Sequence, residues 1–437
     1  MLKISTYIER RAKLISYLSS SQALFVPAAK HYPRNWDSEY YFDQDADFYY
    51  LTGFNEPEAM LLLLPGHHET PTVLFCRANN EQEELWLGKR AGLNGAVINY
   101  QVDVAYDIQM IANILPGLLT GRNEVYYPIG QYSDLDELLL NFVTNSRKGL
   151  RRGSQAVEAL RESRTLIRQM RAVKSEEELT MMQKAMELSG AAHVALMQAC
   201  MPEMFEYELE ALFAYKCRSM GADALMAYDS IIATGVNACT LHYHNNSVQL
   251  RDGELLLVDA GCRYDHYTSD ITRTYPVNGK FTERQKQLYE IVLQAQLVTI
   301  AAVRPGVTLN DLQNIAIEHL TAGLVAIGIL HGSVKQLIAD LSYKQFYPHL
   351  IGHWLGLDTH DPSQVKQGDE WVRLVPGVIL TIEPGLYIQP GTVGVDAVWH
   401  GMGIRIEDNI LVTEDGHEVL TKSVPKTVAE IEKTMAS

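Results

Sequence analysis

Short apolar runs bounded by Pro and Gly alternate with amphipathic stretches along the first third of the chain. Residues 23–26, 60–64 and 72–75 have the length and composition of buried strands. Residues 6–17, 105–119 and 134–143 carry the apolar spacing of helices. Interleaved strands and helices predict an α/β domain, with no glycine-rich phosphate loop in it. A basic, small and polar segment at 146–156 reads as a linker, and an arginine-rich helical stretch at 160–171 follows it. Ser175 with Glu178 three residues on has capping-box spacing, so a second domain is expected from about residue 172. The expected domains are therefore 1–171 and 172–437.

The remainder repeats one coarse pattern. Helical stretches at 175–200 and 205–220 precede a strand-rich stretch at 230–275, and helical stretches at 282–303 and 309–328 precede another at 348–412. Helices first and strands second, twice over, predict two related halves with helices outside a mostly antiparallel sheet.

Composition narrows this picture. The 437 residues exceed one ordinary core of about 100–200 residues. A hydrophobic fraction of 47% and a charged fraction of 21% are those of an ordered globular protein. The net charge of −16 argues against nucleic acid as a partner, and Arg147, Lys148, Arg151 and Arg152 read as a solvated linker. Part of that acidity suits a site for divalent cations. Five cysteines without CxxC spacing argue against a disulfide framework or zinc ribbon. Charges interrupt the N-terminal apolar positions, and no run reaches the roughly 18–20 apolar residues that span a bilayer. No membrane association and a reduced cytoplasm are the expectation.

Residues 253–261 form an apolar run ending near Asp259, and residues 268–275 a β-branched run beginning near Asp270. If the chain reverses over Tyr264 and Asp265, the two carboxylates stand opposite each other, with Cβ atoms about 4.5–5.5 Å apart. A buried pair that close needs a cation. The hairpin alone leaves open whether that is a metal or Arg273 or Arg263.

Residues 378–385 and 403–410 repeat the apolar strand that ends in an acid, here Glu383 and Glu407. Alternation places Thr381 with Glu383 and Arg405 with Glu407, opposite the neighbouring isoleucines. Between the halves His349, His353 and His360 cluster amid Trp354 and Leu355. His349 and His353 have the spacing of a zinc helix but lack the Glu that follows the first His in such peptidases, which excludes that motif.

Residues 255–279 (LLLVDAGCRYDHYTSDITRTYPVNG), 353–361 (HWLGLDTHD), 381–387 (TIEPGLY) and 403–408 (GIRIED) resemble the pita-bread metallopeptidases, which include prolidase and methionine aminopeptidase. Among these the match is to the aminopeptidase P family, whose N-terminal domain residues 37–57 (DSEYYFDQDADFYYLTGFNEP) also resemble. The resemblance implies an α/β N-terminal domain, concerned with substrate access and oligomerisation, and an α+β pita-bread (creatinase/aminopeptidase-like) catalytic domain with pseudo-twofold halves. It implies that Asp259 binds one metal, that Asp270 and Glu407 bridge two, and that His353 and Glu383 complete the second. His242, His349 and His360 match substrate-binding and active-site histidines, and Arg405 an arginine beside the bridging glutamate. Trp86 and Asp37 match N-terminal residues that line or close the site. Leu350 departs from the family's usual glycine and narrows the approach to His349. A homodimer or homotetramer is implied too.

Four carboxylates and one imidazole favour Mn2+, with Zn2+, Co2+ and Fe2+ as alternatives. A hydroxide bridging two such ions is a nucleophile at neutral pH. Glu383 is the expected proton shuttle, with His360 or His242 bonding the oxyanion or leaving group. The expected substrates are peptides with an Xaa-Pro N-terminus, whose tertiary amide needs a dedicated pocket. Prolidase, restricted to dipeptides, is the nearest rival and requires a cation for the substrate carboxylate. A metal-free binding module or a creatinase-like enzyme on the same fold should have lost ligands, and all five are present.

Overall fold

The computed structural model describes residues 2–152 and 156–437. The expected linker at 146–156 falls partly outside the described residues. The chain divides into two compact units, Met1–Arg171 and Ala172–Ser437.

The first unit is a mixed sheet of six strands: β1 Gln22–Pro27, β2 Met60–Leu63, β3 Thr72–Cys76, β4 Val104–Asp107, β5 Glu124–Tyr127 and β6 Ala159–Glu162. Their order is β4-β3-β2-β1-β5-β6. Around them lie helices α1 Ile4–Ser16, α2 Ala46–Thr52, α3 Glu81–Leu87, α4 Gly92–Tyr100, α5 Ile111–Leu118, α6 Ser133–Ser146 and α7 Arg164–Ala172. Phe25, Leu62, Val73, Phe75 and Val125 from the strands are buried with Leu115, Leu135 and Leu139 from the helices.

Two helical expectations change here. Residues 104–107 are the strand β4, parallel to β3, and helix begins only at Ile111, after Asp107 caps a single 3-10 turn. Residues 159–162 are the strand β6, parallel to β5, where Arg161 forks onto Glu124 at 3.0 Å through both Nε and Nη2. In both places pairing with a strand distant in sequence outweighs local helical spacing.

The second unit begins with α8 Glu176–Ala199, whose capping box of Ser175 and Glu178 is formed, and α9 Glu206–Ser219. The strands β7 Ile231–Thr234, β8 Leu255–Asp259, β9 Arg263–Tyr264, β10 Tyr267–Thr268 and β11 Thr272–Pro276 follow. Then come α10 Glu283–Ala302, α11 Leu309–Ala326 and the short α12 Val334–Ala339. The chain closes through β12 Lys366–Gln367, β13 Glu370–Trp371, β14 Ile379–Ile382, β15 Gly385–Ile388, β16 Met402–Arg405, β17 Asp408–Val412, β18 His417–Val419 and α13 Val428–Met435. Every ladder here is antiparallel.

The halves correspond. β7 flanks β8 in the first, and residues 351–355 flank β14 in the second, through the Trp354–Leu380 bridge and its neighbouring hydrogen bonds. In each half the central hairpin is interrupted, between β8 and β9 and between β14 and β15. A helix sends a buried polar side chain beneath each gap. Ser189 of α8 accepts from Cys262 N at 2.9 Å, and Gln296 of α10 donates to the Ile406 carbonyl at 3.2 Å.

The hairpin register departs from expectation. Tyr264 pairs with Tyr267, so the turn residues are Asp265 and His266, both with positive φ (52° and 68°). The carboxylate of Asp223 accepts their amide hydrogens at 3.2 and 2.7 Å, which supports a conformation that neither residue favours alone. Asp259 therefore faces Thr272, and Asp270 stands diagonally from it. Among the described residues no helix is long and apolar enough to cross a membrane.

Candidate metal centre

Both hairpin gaps carry the acids. In the first, Gly261 lies so close to Ser269 that a Cβ there would meet its carbonyl oxygen at 1.9 Å. This approach brings Asp259 and Asp270 within reach of one hydroxyl: Tyr228 Oη is 2.6 Å from Asp259 Oδ1 and 2.5 Å from Asp270 Oδ1. In the second, Glu383 and Glu407 lie between the Ile382–Asp408 and Gly385–Arg405 pairs. Their amides bond elsewhere, Glu383 N to Ile351 O at 2.8 Å and Glu407 N to Thr272 O at 3.0 Å. The latter bond ties the second half to the strand opposite Asp259. Thr272 Oγ1 also donates to Glu407 Oε2 at 2.7 Å.

His353 enters from the flanking segment, where its amide donates to Thr381 Oγ1 at 3.0 Å. Its Nδ1 lies 3.0 Å from the Trp354 carbonyl, so this nitrogen carries the hydrogen and Nε2 faces the acids. Nε2 is 3.4 Å from Asp270 Oδ2 and 3.6 Å from Glu383 Oε1. One ligand atom each of Asp270, His353 and Glu407 falls within 4.8 Å of the others.

From the protein's own groups alone, this cluster is short of positive charge. Burial, then Asp270, Glu383 and Asp259, push Glu407 well above the carboxylate range. Burial raises Glu383 to about 7 despite His353 and Arg405. Burial likewise raises Asp259, against the attraction of Arg405. Burial alone would lower His353, but its Asp270 hydrogen bond and the Glu383 and Asp270 charges lift it to about 9. Burial opposes ionisation of Asp270 too, yet His353 holds it below its ordinary value. Divalent cations would relieve this crowding of acids. The oxygen-rich donor set fits them.

The cation beside Asp259 is neither arginine expected from the hairpin. Arg405 Nη2 donates to Asp259 Oδ2 at 2.7 Å, while Arg273 pairs with Asp408 at 2.8 Å in full burial. Arg405 also donates through Nη1 to Tyr387 Oη at 2.9 Å, and Tyr387 meets His349 Nε2 at 2.8 Å. Burial, reinforced by the Arg405 charge, lowers His349 to about 4, so its ring is neutral and accepts from Tyr387. His353 and His360 stack edge to face with centroids 4.2 Å apart. His242 is exposed on the loop after β7, close enough for its charge to lower both His349 and His360. Residues 347–353 are not helical, in keeping with exclusion of the zinc-helix motif.

Tyr228 and Tyr387 were missed by sequence reasoning. Tyr387 had a signal, because alternation from Glu383 puts it on the same face. Tyr228 lies outside every regular element.

A family model described as metallopeptidase family M24 matches residues 180–414, and one described as the aminopeptidase P N-terminal domain matches residues 7–126. The chain belongs to the aminopeptidase P family of M24 metallopeptidases. A Xaa-Pro aminopeptidase of Escherichia coli is 40% identical over 98% of this chain and 97% of its own length. Human Xaa-Pro aminopeptidase 3 is 34% identical over 98% of this chain and 85% of its own length. Among solved structures, a Pseudomonas aeruginosa aminopeptidase superposes with a TM-score of 0.97 at 45% identity, covering 100% of this chain and 98% of that one. Zinc-substituted E. coli aminopeptidase P in complex with product superposes at 0.96 and 40% identity, again over 100% and 98%. As an aminopeptidase P, this chain is a Xaa-Pro aminopeptidase, a hydrolase that releases the residue preceding proline at a peptide's N-terminus. In this family's N-terminal domain Asp37 lies on an exposed loop, and Trp86 lies on α3 with 85% of its surface exposed.

Proposed function

We propose that Asp259, Asp270, His353, Glu383 and Glu407 hold two divalent cations, Mn2+ by the hardness of the donors, and that this centre cleaves Xaa-Pro peptides longer than dipeptides. The observation that carries this reading is the convergence of acids from two hairpin gaps and His353 on one buried point. Asp259 would serve one ion, His353 and Glu383 the other, and Asp270 and Glu407 would be shared between them. When bound, the cations supply Lewis acidity toward the scissile carbonyl and lower the pKa of water to near neutrality.

The remaining steps belong to side chains. Glu383, at the edge of the acid cluster beside His353, takes up a proton from the attacking water and returns it. The proline nitrogen carries no hydrogen, so it must gain one to leave as a secondary amine. Glu383 delivers that proton as the C–N bond breaks. His360 and His242, both exposed, donate to the carbonyl oxygen as it gains charge. Arg405 and Tyr387 hold Asp259 and His349 in place around them.

The N-terminal domain, 1–171, would govern access through Asp37 and Trp86 and support a homodimer or homotetramer. The five buried free thiols suit a reducing cytoplasm. The E. coli relative has been solved with the inhibitor Pro-Leu, which supports a pocket for proline here.

A panel of Xaa-Pro dipeptides and tripeptides, assayed with added Mn2+, Zn2+ and Co2+, tests the reading together with metal analysis. We expect two ions per chain, the fastest turnover with Mn2+, and tripeptides cleaved faster than dipeptides. Full activity at well below two ions per chain would overturn the dinuclear assignment, and a strict preference for dipeptides would identify a prolidase.

A further inference from the structure

His242 is carried by the long connection from β7 to β8. The first part of this loop is clamped: Gln389 Nε2 donates to Cys239 O at 2.7 Å, and Gly403 packs so near Ala238 that a Cβ would meet its carbonyl at 2.2 Å. Beyond Thr240 the loop has no regular structure until β8. There it is gathered by one side chain.

Glu206, the first residue of α9, is fully buried, and its carboxylate accepts four hydrogen bonds along the loop. Oε1 takes Thr234 N at 2.8 Å and Asn237 Nδ2 at 3.0 Å, and Oε2 takes Tyr243 Oη and Val248 N, both at 2.8 Å. Its own amide donates to Val248 O at 3.0 Å. One carboxylate thus joins the start, middle and end of the loop, with its acceptor sites filled. The N-terminus of α9 favours its negative charge. Tyr243, the middle contact, is the neighbour of His242.

We propose that Glu206 is a positioning residue for substrate binding, fixing the backbone at His242 through Tyr243. The inference rests on the reading of His242 as a substrate-binding residue. Asn246 supplies a second tether, bonding Ile232 N at 3.0 Å and Ser230 O at 2.8 Å, so the loop root stays folded when Glu206 is altered. What changes is the aim of His242.

The test is a double-mutant cycle on the Mn2+-loaded enzyme with an Xaa-Pro tripeptide, using Glu206→Gln and His242→Ala. Glutamine presents an amide donor to two of the four donors. Glu206→Gln is expected to raise KM about tenfold with kcat within about twofold, the size of a lost hydrogen bond to a charged group. In the His242→Ala background the same change should shift KM less than about twofold. Metal content should be equal throughout. Where Glu206→Gln does not fold, Tyr243→Phe removes the single hydroxyl beside His242 and should give the same coupled KM effect. An equal KM rise with and without His242, no KM rise, or a loss of bound metal would overturn the positioning role alone. If His242→Ala itself leaves KM and kcat unchanged, the reading of His242 fails and this proposal with it.

Discussion

Arg405 holds Asp259 and Tyr387 at once, with Nη2 donating to Asp259 Oδ2 at 2.7 Å and Nη1 to Tyr387 Oη at 2.9 Å. Tyr387 in turn donates to His349 Nε2, so one buried guanidinium orients a carboxylate of the acid cluster and a histidine at its edge. A lysine ammonium is a point charge and cannot serve both arms of this fork. Arg405→Lys should therefore lower kcat/KM about 100-fold, from the loss of a charged buried contact and of the Tyr387 tether. Tyr387→Phe, which spares Asp259, should cost about tenfold. Steady-state kinetics separate the two, and equal losses would show that the arms do not act independently.

The raised pKa values of the cluster make metal binding a proton-releasing event. His353 is lifted to about 9 and Glu383 to about 7, each against its ordinary value of 6.5 or 4.5. Both groups must lose their protons to act as ligands, so Mn2+ affinity should rise with pH from about 6 to about 9. Calorimetry in buffers of different ionisation enthalpy would count the protons released. The same shifts fix the sign for stability after chelation. Each folded value exceeds the unfolded one, so the folded state binds more protons and stability falls as pH rises, for Glu383 through about 7 and for His353 through about 9. Chelated protein should melt lower at about pH 9 than at about pH 6, and Mn2+ should narrow the gap. Affinity independent of pH over this range would contradict the account.

Asp408 is the structural anchor behind Glu407. It is fully buried and accepts from Arg273 Nη2 at 2.8 Å, Thr421 Oγ1 at 2.7 Å, Lys426 Nζ at 2.6 Å and Gln296 Nε2 at 3.1 Å. Arg273 also donates to the backbone carbonyls of Thr272 and Glu407. Asp408→Ala leaves Arg273 buried without its carboxylate, a loss of about 3–5 kcal/mol by analogy with other broken buried pairs. Urea unfolding should show that loss. Burial opposes ionisation of Asp408, but Arg273 and Lys426 hold it below 3.8, so its contribution is present above that value and fades as pH falls through the depressed one.

Element order was legible where an apolar run ends in an acid, as at Asp259 and Glu383, because a buried carboxylate in a strand demands a partner. The partners themselves were less legible. Arg405 reaches Asp259 across 146 positions, and no local pattern selects it over Arg273, which sits on the same hairpin. The hairpin register depends on Asp223, about 40 residues upstream, holding two residues at positive φ without glycine or asparagine. The strands β4 and β6 were hidden for a related reason: each is parallel to a neighbour far along the chain, while its own spacing also suits a helix. Local periodicity carries the core faces, and long-range pairing carries the register.

Two glycines permit the close approaches on which the centre depends, and they supply the final prediction. A Cβ at Gly352 would lie 1.9 Å from Thr381 O, and one at Gly261 would lie 1.9 Å from Ser269 O. In both places the obstacle is backbone, which cannot rotate away as a flexible side chain could. Gly352→Ala must push residues 351–355 off β14, lengthening the Thr381 N to His353 O bond of 2.9 Å and withdrawing Nε2 of His353 from the acids. Gly261→Ala must part the strands that bring Asp259 and Asp270 to Tyr228. The core beneath is packed by other residues, among them Ile351, Leu380 and Ile382 for the second hairpin. Each variant should therefore lose bound metal and activity by more than its loss of melting temperature would suggest. Metal analysis beside a thermal melt checks this. Full metal content with normal kcat in Gly352→Ala would mean that His353 is not held by this backbone contact.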